Sequence, residues 1–480
     1  MHSISSSLLL ALTALPLGQL VSAEKVLGVY LFVRHGDRTS KSTPPTSLTD
    51  LGYREVYMAG SYYHDRYISA NSSLQIQGIN DEIVSTSQVA ASAPDDDVLM
   101  NSATGFLQGL YPPVGSTAKQ TLRNGTTVEA PLNGYQLIPV AEVSTGSNSE
   151  NSAWLQSASD CQKAEISSNN YFSTPQYNSL LDSTKNFYQG LSPMLNRTFT
   201  ESQMTYKNAY TIFDYLNVAS IHNSSSDFPS ADLLTSEVFQ QLQVLANIHE
   251  YNLAYNASDP VRAISGAVLA GQVVQALNKT ITSSGKAPLN IQFGAYGSFQ
   301  SYFGLAQLPA ASVDFTGIPD YASSMSWELV TNSTETFPSA SDIKVRFLFH
   351  NGTVTAGSEP TAYPLFGQSN TLLSWSDFVD GMNKFAVSSQ EQWCQACGNT
   401  DSTCASVSSG NSSSTSSTTS SNHHGMSLAV AGVIGAMVTL GVILGLEALF
   451  FLLGGFRLAK KRAAAPVAVS PPVEEKKTSV

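Results

Sequence analysis

From Lys25 to Val33 the chain reads Lys-Val-Leu-Gly-Val-Tyr-Leu-Phe-Val, and the apolar run stops abruptly at Arg34. A stretch this rich in β-branched and aromatic residues predicts a strand buried on both faces and feeding a loop. Helical spacing follows over Leu48 to Tyr67, with Thr49 as its start signal. A second short strand is expected at Glu82 to Thr86. It leads to a helix over about Val98 to Leu110 that Tyr111-Pro112-Pro113 ends. Strand, loop and helix in alternation predict an α/β fold: a mostly parallel sheet with helices on both faces.

The pattern changes over about 144–235, which is rich in Ser, Asn and Tyr with scattered helical periodicity, and reads as a smaller, mainly helical inserted domain. Alternation then returns. Helices are expected near Ser236 to Tyr255 and Val261 to Ile281, strands at Leu289 to Ala295, Met325 to Thr331 and Ile343 to His350, and a helix over about Ser376 to Ser389. The folded part therefore spans 24–405. Almost every residue from Ser406 to Ser421 is Ser or Thr, a composition that cannot build a core and suits an O-glycosylated stalk over 406–425.

Both ends of the chain carry targeting patterns. Residues 1–23 contain the apolar run Leu8 to Leu15 and end in Val21-Ser22-Ala23, which predicts a cleaved signal peptide. Leu428 to Leu446 is 19 residues without a charge, and the apolar character continues past Glu447 to Phe456. At about 1.5 Å per residue this predicts a single transmembrane helix over 426–456. Arg457, Lys460, Lys461 and Arg462 follow at once and place the tail, 457–480, in the cytosol. The folded part then lies outside, as in a single-pass type I protein of the cell membrane. A vacuolar or other endomembrane location fits the same topology. Within the span, Gly441 and Gly445 form a small-xxx-small pattern that allows a weak homodimer.

Four cysteines, Cys161, Cys394, Cys397 and Cys404, form an even set suited to an oxidising compartment, and two disulfides are expected in one of three connectivities. The Cys394-x-x-Cys397 spacing alone does not make a zinc or redox site, because no second such pair or nearby histidine pair accompanies it. Nine Asn-x-Ser/Thr sequons are glycosylation candidates: Asn71, Asn124, Asn196, Asn223, Asn256, Asn278, Asn332, Asn351 and Asn411. Excluding the tail and Glu447, the chain carries 18 basic and 33 acidic side chains, a net charge of −15. Such a surface excludes a nucleic-acid partner.

Arg34-His35-Gly36-Asp37-Arg38 stands where the first strand ends, and open parallel sheets bind ligands beyond the carboxyl ends of their strands. Two guanidiniums offer planar, permanently charged forks to phosphate oxygens, Gly36 admits close backbone approach, and His35 presents a nucleophilic ring nitrogen. The bland alternative is that these side chains merely pair with carboxylates at a strand end.

The motif resembles the signature of the histidine acid phosphatases, in the second branch of the histidine phosphatase superfamily. The likeness continues through Leu48-Thr49 with Gly52, Ser102-Ala103 with Phe106, Gly109-Leu110-Tyr111-Pro112 and Arg262-Ala263-Ile264-Ser265-Gly266, and covers Lys25 to about Ser389. It implies phosphomonoester hydrolysis of a small phosphorylated molecule without metal or cofactor, with His35 as catalytic nucleophile and Arg34 and Arg38 as phosphate-binding residues. Two positions depart from the family pattern. The family's third arginine belongs ahead of Ser102, where this chain has Asp95-Asp96-Asp97, its carboxylates expected to face solvent at a helix start. The family's His-Asp pair, which donates to phosphate and protonates the leaving alcohol, is replaced by Tyr296-Gly297. General acid catalysis is worth roughly 10² to 10⁴ in rate, and a phenol with an ordinary pKa of about 10 is a weaker acid than a carboxyl.

His64-Asp65 lies late in a helix and is expected to play no part. His222, His249 and His350 read as solvated or structural histidines, and Arg262 as an ion-pairing structural residue. Three functions therefore compete: a weak phosphomonoesterase acting through a phosphohistidine, a catalytically impaired pseudophosphatase binding phosphate ligands at a cell surface, and a purely structural glycoprotein.

Overall fold

The computed structural model describes residues 24–143, 160–224, 227–228, 230–400 and 404–405. The segments expected to be signal peptide, stalk, membrane span and cytosolic tail, and Asn411, lie outside the described residues. Among the described residues, no helix is long and apolar enough to cross a membrane.

One eight-stranded sheet organises the fold. The motif strand, Lys25–Arg34, occupies its interior. On one side the sheet is parallel, running from the motif strand through Leu289–Gly294 and Val89–Pro94 to Val140–Val143. On the other it is antiparallel, through Ser324–Thr331, Lys344–His350 and Leu372–Ser374, with Thr361–Ala362 pairing alongside Lys344–His350.

The continuous apolar run of the motif strand follows from its position. Val29, Leu31 and Val33 pack on one face with Val56, Leu99 and Phe106, from the helices Asp50–Tyr67 and Asp97–Leu110. Tyr30 and Phe32 pack on the other face with Leu269, Val273, Phe299 and Phe303, from the helices Ile264–Thr282 and Tyr296–Leu305. A strand covered on both faces cannot afford an alternating pattern.

Two of the predicted elements fall differently in the structure. The second strand is Val89–Pro94 rather than Glu82–Thr86. The earlier segment is tied down as a loop by Gln136, whose side chain accepts from Val84 N at 2.8 Å and donates to Glu82 O at 3.0 Å. Val-Ala-Ala-Ser-Ala-Pro is a poor strand former by propensity, but its small side chains pack with Leu99 and Leu107 of the covering helix, and tertiary packing decides. The late helix is also shorter than expected, Trp375–Met382, followed by a separate helix, Gln390–Cys397. Between them Val387 N donates to Ala267 O at 2.9 Å, which holds the chain along a neighbouring helix instead of letting it coil.

The insert is helical from Gln162 onward and has its own aromatic core, including Tyr171, Tyr177, Tyr188, Tyr206 and Phe228. Disulfides join Cys161 to Cys397 and Cys394 to Cys404. The first closes a sequence separation of 236 residues, worth about 5 kcal/mol if it acts by restricting the unfolded chain. Of the sequons, Asn71, Asn124, Asn196, Asn223, Asn278, Asn332 and Asn351 are exposed, and Asn256 is half-buried.

Candidate active site

The motif loop is shaped by backbone contact. A Cβ at Gly36 would stand 2.2 Å from Gly52 O, and one at Gly52 would stand 2.0 Å from Asp37 O, so the first turn of the helix Asp50–Tyr67 lies directly against the loop. Thr49 caps that helix, accepting from Gly52 N at 3.0 Å, while its hydroxyl donates to Asp37 O^δ1. Gly36 N donates to Ser102 Oγ at 3.2 Å, and Asp37 N to Glu55 Oε2 at 2.7 Å. The glycine and threonine spacing read in the sequence is thus the means of presenting the loop.

His35 is fully buried, with Nδ1 2.8 Å from Gly36 O. A carbonyl only accepts, so Nδ1 carries the hydrogen and Nε2 is the basic nitrogen of the neutral ring. Arg34 and Arg38 are also buried. Arg34 Nη1 donates to Pro319 O, while its Nε has no hydrogen-bond partner among the described residues. Arg38 is committed more deeply. Its Nη1 is 2.9 Å from Asp214 Oδ1, with both side chains almost wholly inaccessible, and Nη2 donates to Tyr210 Oη at 3.0 Å. Asp214 in turn accepts from Ser40 Oγ at 3.0 Å and Lys41 N at 2.9 Å. For Arg38, pairing with a carboxylate is therefore realised.

Tyr321 brings the three motif side chains together. Its ring centroid lies 4.5 Å from the Arg34 guanidinium carbon, 5.8 Å from that of Arg38 and 5.6 Å from the His35 ring. Burial pushes its phenol well above the ordinary range, so it remains neutral and meets the guanidiniums through its π face. The cations are thus stacked against the protein's own tyrosine.

The two departures from the family pattern take definite positions. Asp96 caps the helix Asp97–Leu110, accepting from Leu99 N at 3.0 Å, and Asp97 is exposed in its first turn. Tyr296 opens the helix after the strand Leu289–Gly294, its ring 5.4 Å from the Arg34 guanidinium and 4.7 Å from the Tyr210 ring. Its hydroxyl donates to Glu250 Oε2 at 2.8 Å. A Cβ at Gly297 would meet nothing within 4 Å.

The remaining histidines divide by role. His222 Nε2 lies 2.6 Å from Asp37 Oδ1 and so braces the motif loop, a tie that its sequence position did not show. His249, on the helix Ser236–Ala254, packs against the insert's aromatic rings, and His350 bonds Gly352 O and Ser358 Oγ. His64 Nδ1 is 2.8 Å from Leu110 O, linking two helices. Arg262 differs from the ion pair expected: it donates to Ser167 Oγ, Ser167 O and Asn252 O, and burial lowers its pKa. Among the described residues, no group of three or more His, Cys, Asp or Glu side chains is placed to hold a metal ion.

A cleft of about 380 Å³ opens beside Arg34, its walls including Glu55, Asn217, Gln243, Asn247 and Asp320. Burial is the largest influence on both carboxyls: it raises Asp320, and it pushes Glu55 up to about 7 against the opposing pull of the Asp37 backbone hydrogen bond. Between about pH 4.5 and 7 the folded protein therefore holds a proton on Glu55 that the unfolded chain has released, and stability falls as pH rises through that window. Glu55→Gln keeps an acceptor for Asp37 N but cannot ionise. Its stability relative to the wild type is expected to improve by about 1–2 kcal/mol on going from pH 4.5 to 7, allowing for solvent screening. Thermal unfolding of both proteins at the two pH values measures this.

Asp214, Tyr210, Tyr321 and Glu250 carry no local sequence signal, since each reaches the motif from a distant part of the chain. Glu55 was more accessible to reasoning, lying three residues after Gly52 on the helix that abuts the loop.

The chain's likeness to known proteins follows the same architecture. A phytase from Hafnia alvei superimposes with a TM-score of 0.53 at 12% identity, covering 78% of this chain and 98% of its own. A phytase from Klebsiella sp. ASR1 gives 0.53 at 11% identity, covering 76% and 95%, and one from Citrobacter braakii gives 0.50 at 13% identity, covering 78% and 99%. At these identities the likeness is one of fold. No curated protein sequence matches the chain. The family model described as histidine phosphatase superfamily (branch 2) matches residues 43–350, more than half of the chain. On that match, the chain belongs to the histidine phosphatase superfamily, branch 2.

Proposed function

We propose that the protein is a slow phosphomonoesterase acting on small phosphorylated molecules through a phosphohistidine at His35. The observation that carries this reading is the bond between His35 Nδ1 and Gly36 O, which fixes Nε2 as the basic nitrogen at the carboxyl end of a parallel strand. Arg34 supplies a guanidinium to the adjacent cleft. The Glu55 and Asp320 carboxyls on its wall favour a substrate with a single phosphate over a polyanion, and their tendency to hold protons favours work in acid. The leader, the charge-free span and the basic residues after it support an outward-facing enzyme on a single-pass anchor in the cell membrane or an acidic endomembrane compartment.

A second reading is favoured by the Arg38–Asp214 pair and by the stacking of Tyr321 on the cationic groups: a pseudophosphatase in which the protein's own side chains occupy the cradle. Trapping the intermediate separates the two. On incubation with a ³²P-labelled aryl phosphate near pH 5 and an alkaline quench, which preserves phosphohistidine, label is expected on the peptide containing His35. Absence of both label and phosphate release would establish the pseudophosphatase reading.

A further inference from the structure

We infer that Glu250 and Tyr296 form the proton-delivering pair of this site, with His249 as the residue that positions Glu250. This inference rests on the phosphohistidine reading above.

The path begins at the motif. In the parallel pairing Arg34 stands opposite Gly294, so Tyr296, two residues further on, emerges beside the nucleophile's loop. Its ring packs among the Arg34 guanidinium at 5.4 Å, the Lys41 ammonium at 5.8 Å and the Tyr210 ring at 4.7 Å. A phenol among these groups borders the place where phosphate charge would collect. Its oxygen is coupled to a carboxyl, since Tyr296 Oη is 2.8 Å from Glu250 Oε2. The other oxygen of that carboxyl is 2.8 Å from His249 Nδ1.

His249 is 5% exposed and enclosed by the rings of Tyr206, Phe172, Tyr171 and Tyr177, whose centroids lie 5.3 to 6.4 Å away. Its Nε2 has no hydrogen-bond partner among the described residues. Among the described residues, the bond to Glu250 is thus the single hydrogen bond of this imidazole, and the aromatic cage fixes where that bond points. Burying a polar ring without satisfying both nitrogens costs stability, and holding Glu250 in one rotamer is what the arrangement provides.

The chemistry balances. With Glu250 in its carboxylic acid form, the O–H of Glu250 donates to Tyr296 Oη, which leaves the Tyr296 hydrogen for the leaving oxygen of a phosphate ester held beside Arg34. As His35 Nε2 bonds to phosphorus, the bond to the leaving oxygen breaks and its electron pair takes the Tyr296 proton. Glu250 refills Tyr296 and becomes a carboxylate. In the second half, water attacks the phosphohistidine, the N–P bond breaks, and the proton lost by water returns through Tyr296 to Glu250. No redox partner or metal is required by these steps.

The test uses leaving groups of different need. Departure of p-nitrophenolate requires little protonation, whereas an alkoxide must be protonated. The full-length protein and its Glu250→Gln and Tyr296→Phe variants are compared on p-nitrophenyl phosphate and glycerol 2-phosphate by kcat/KM, which reports the step that breaks the substrate bond. Each variant is expected to lose about 100-fold or more on the alkyl ester and under about 3-fold on the aryl ester. His249→Phe is expected to show the same selectivity with a smaller loss. Equal losses on both esters in either variant, or no loss, would overturn the proton-delivery role, and thermal unfolding of each variant shows whether an equal loss is misfolding. A wild type that hydrolyses neither ester would instead bring down the phosphomonoesterase reading itself, and the proton pair with it.

Discussion

Replacing His35 with alanine is expected to lower phosphate release from an aryl phosphate near pH 5 by about 10³-fold or more, while leaving the fold intact. The magnitude follows from the role of the residue: removal of a covalent nucleophile removes the reaction path and not merely a contact within it. The fold should survive because the Nδ1 hydrogen bond of the imidazole is only to the carbonyl of the next residue, and the loop itself is held by the Gly36–Ser102, Asp37–Glu55 and Asp37–Thr49 bonds. Steady-state rates for both proteins, with circular dichroism as a control, provide the measurement. Equal rates would show that any hydrolysis arises elsewhere.

Asp214 is the site of the second large effect. Its pairing with Arg38 is buried on both sides, and deleting one member of such a pair costs about 3–5 kcal/mol because the other charge is left stranded. Asp214→Ala is accordingly expected to lower the unfolding temperature by several degrees. Asp214→Asn retains an amide oxygen to accept from Ser40 Oγ and Lys41 N but removes the charge that holds Arg38. A freed guanidinium adds a charged hydrogen bond to a phosphate oxygen, worth about 1.5–3 kcal/mol, so this variant should bind vanadate roughly tenfold or more tightly than the wild type. Calorimetric titration of the two proteins decides it. Unchanged affinity would mean that Asp214 does not compete with phosphate for Arg38.

The parts of this architecture that were legible in the sequence are those with local causes. Lys25 to Val33 announced a doubly covered strand because both of its faces are apolar, and Thr49 announced a helix start because a capping hydroxyl belongs there. Val89–Pro94 was not legible, since alanines become a strand only where a neighbouring helix and strand select small side chains. The motif itself was plain, as was the substitution of Tyr296-Gly297. Their surroundings were not. Asp214 lies 176 residues beyond Arg38 and Tyr321 a further 107, and no periodicity records which carboxylate or ring a fold will bring against a guanidinium. The same holds for Glu250, reached from Tyr296 across two helices.

The two disulfides also bear on how the protein meets force. Cys397 is bonded back to Cys161, at the start of the insert, while Cys394, in the same helical turn, is bonded forward to Cys404. A pull applied at residue 405 therefore passes through the Cys404–Cys394 link into the helix Gln390–Cys397, and from Cys397 on to Cys161 in a distant part of the chain. The end of the described chain is thus buckled covalently to the fold at two points.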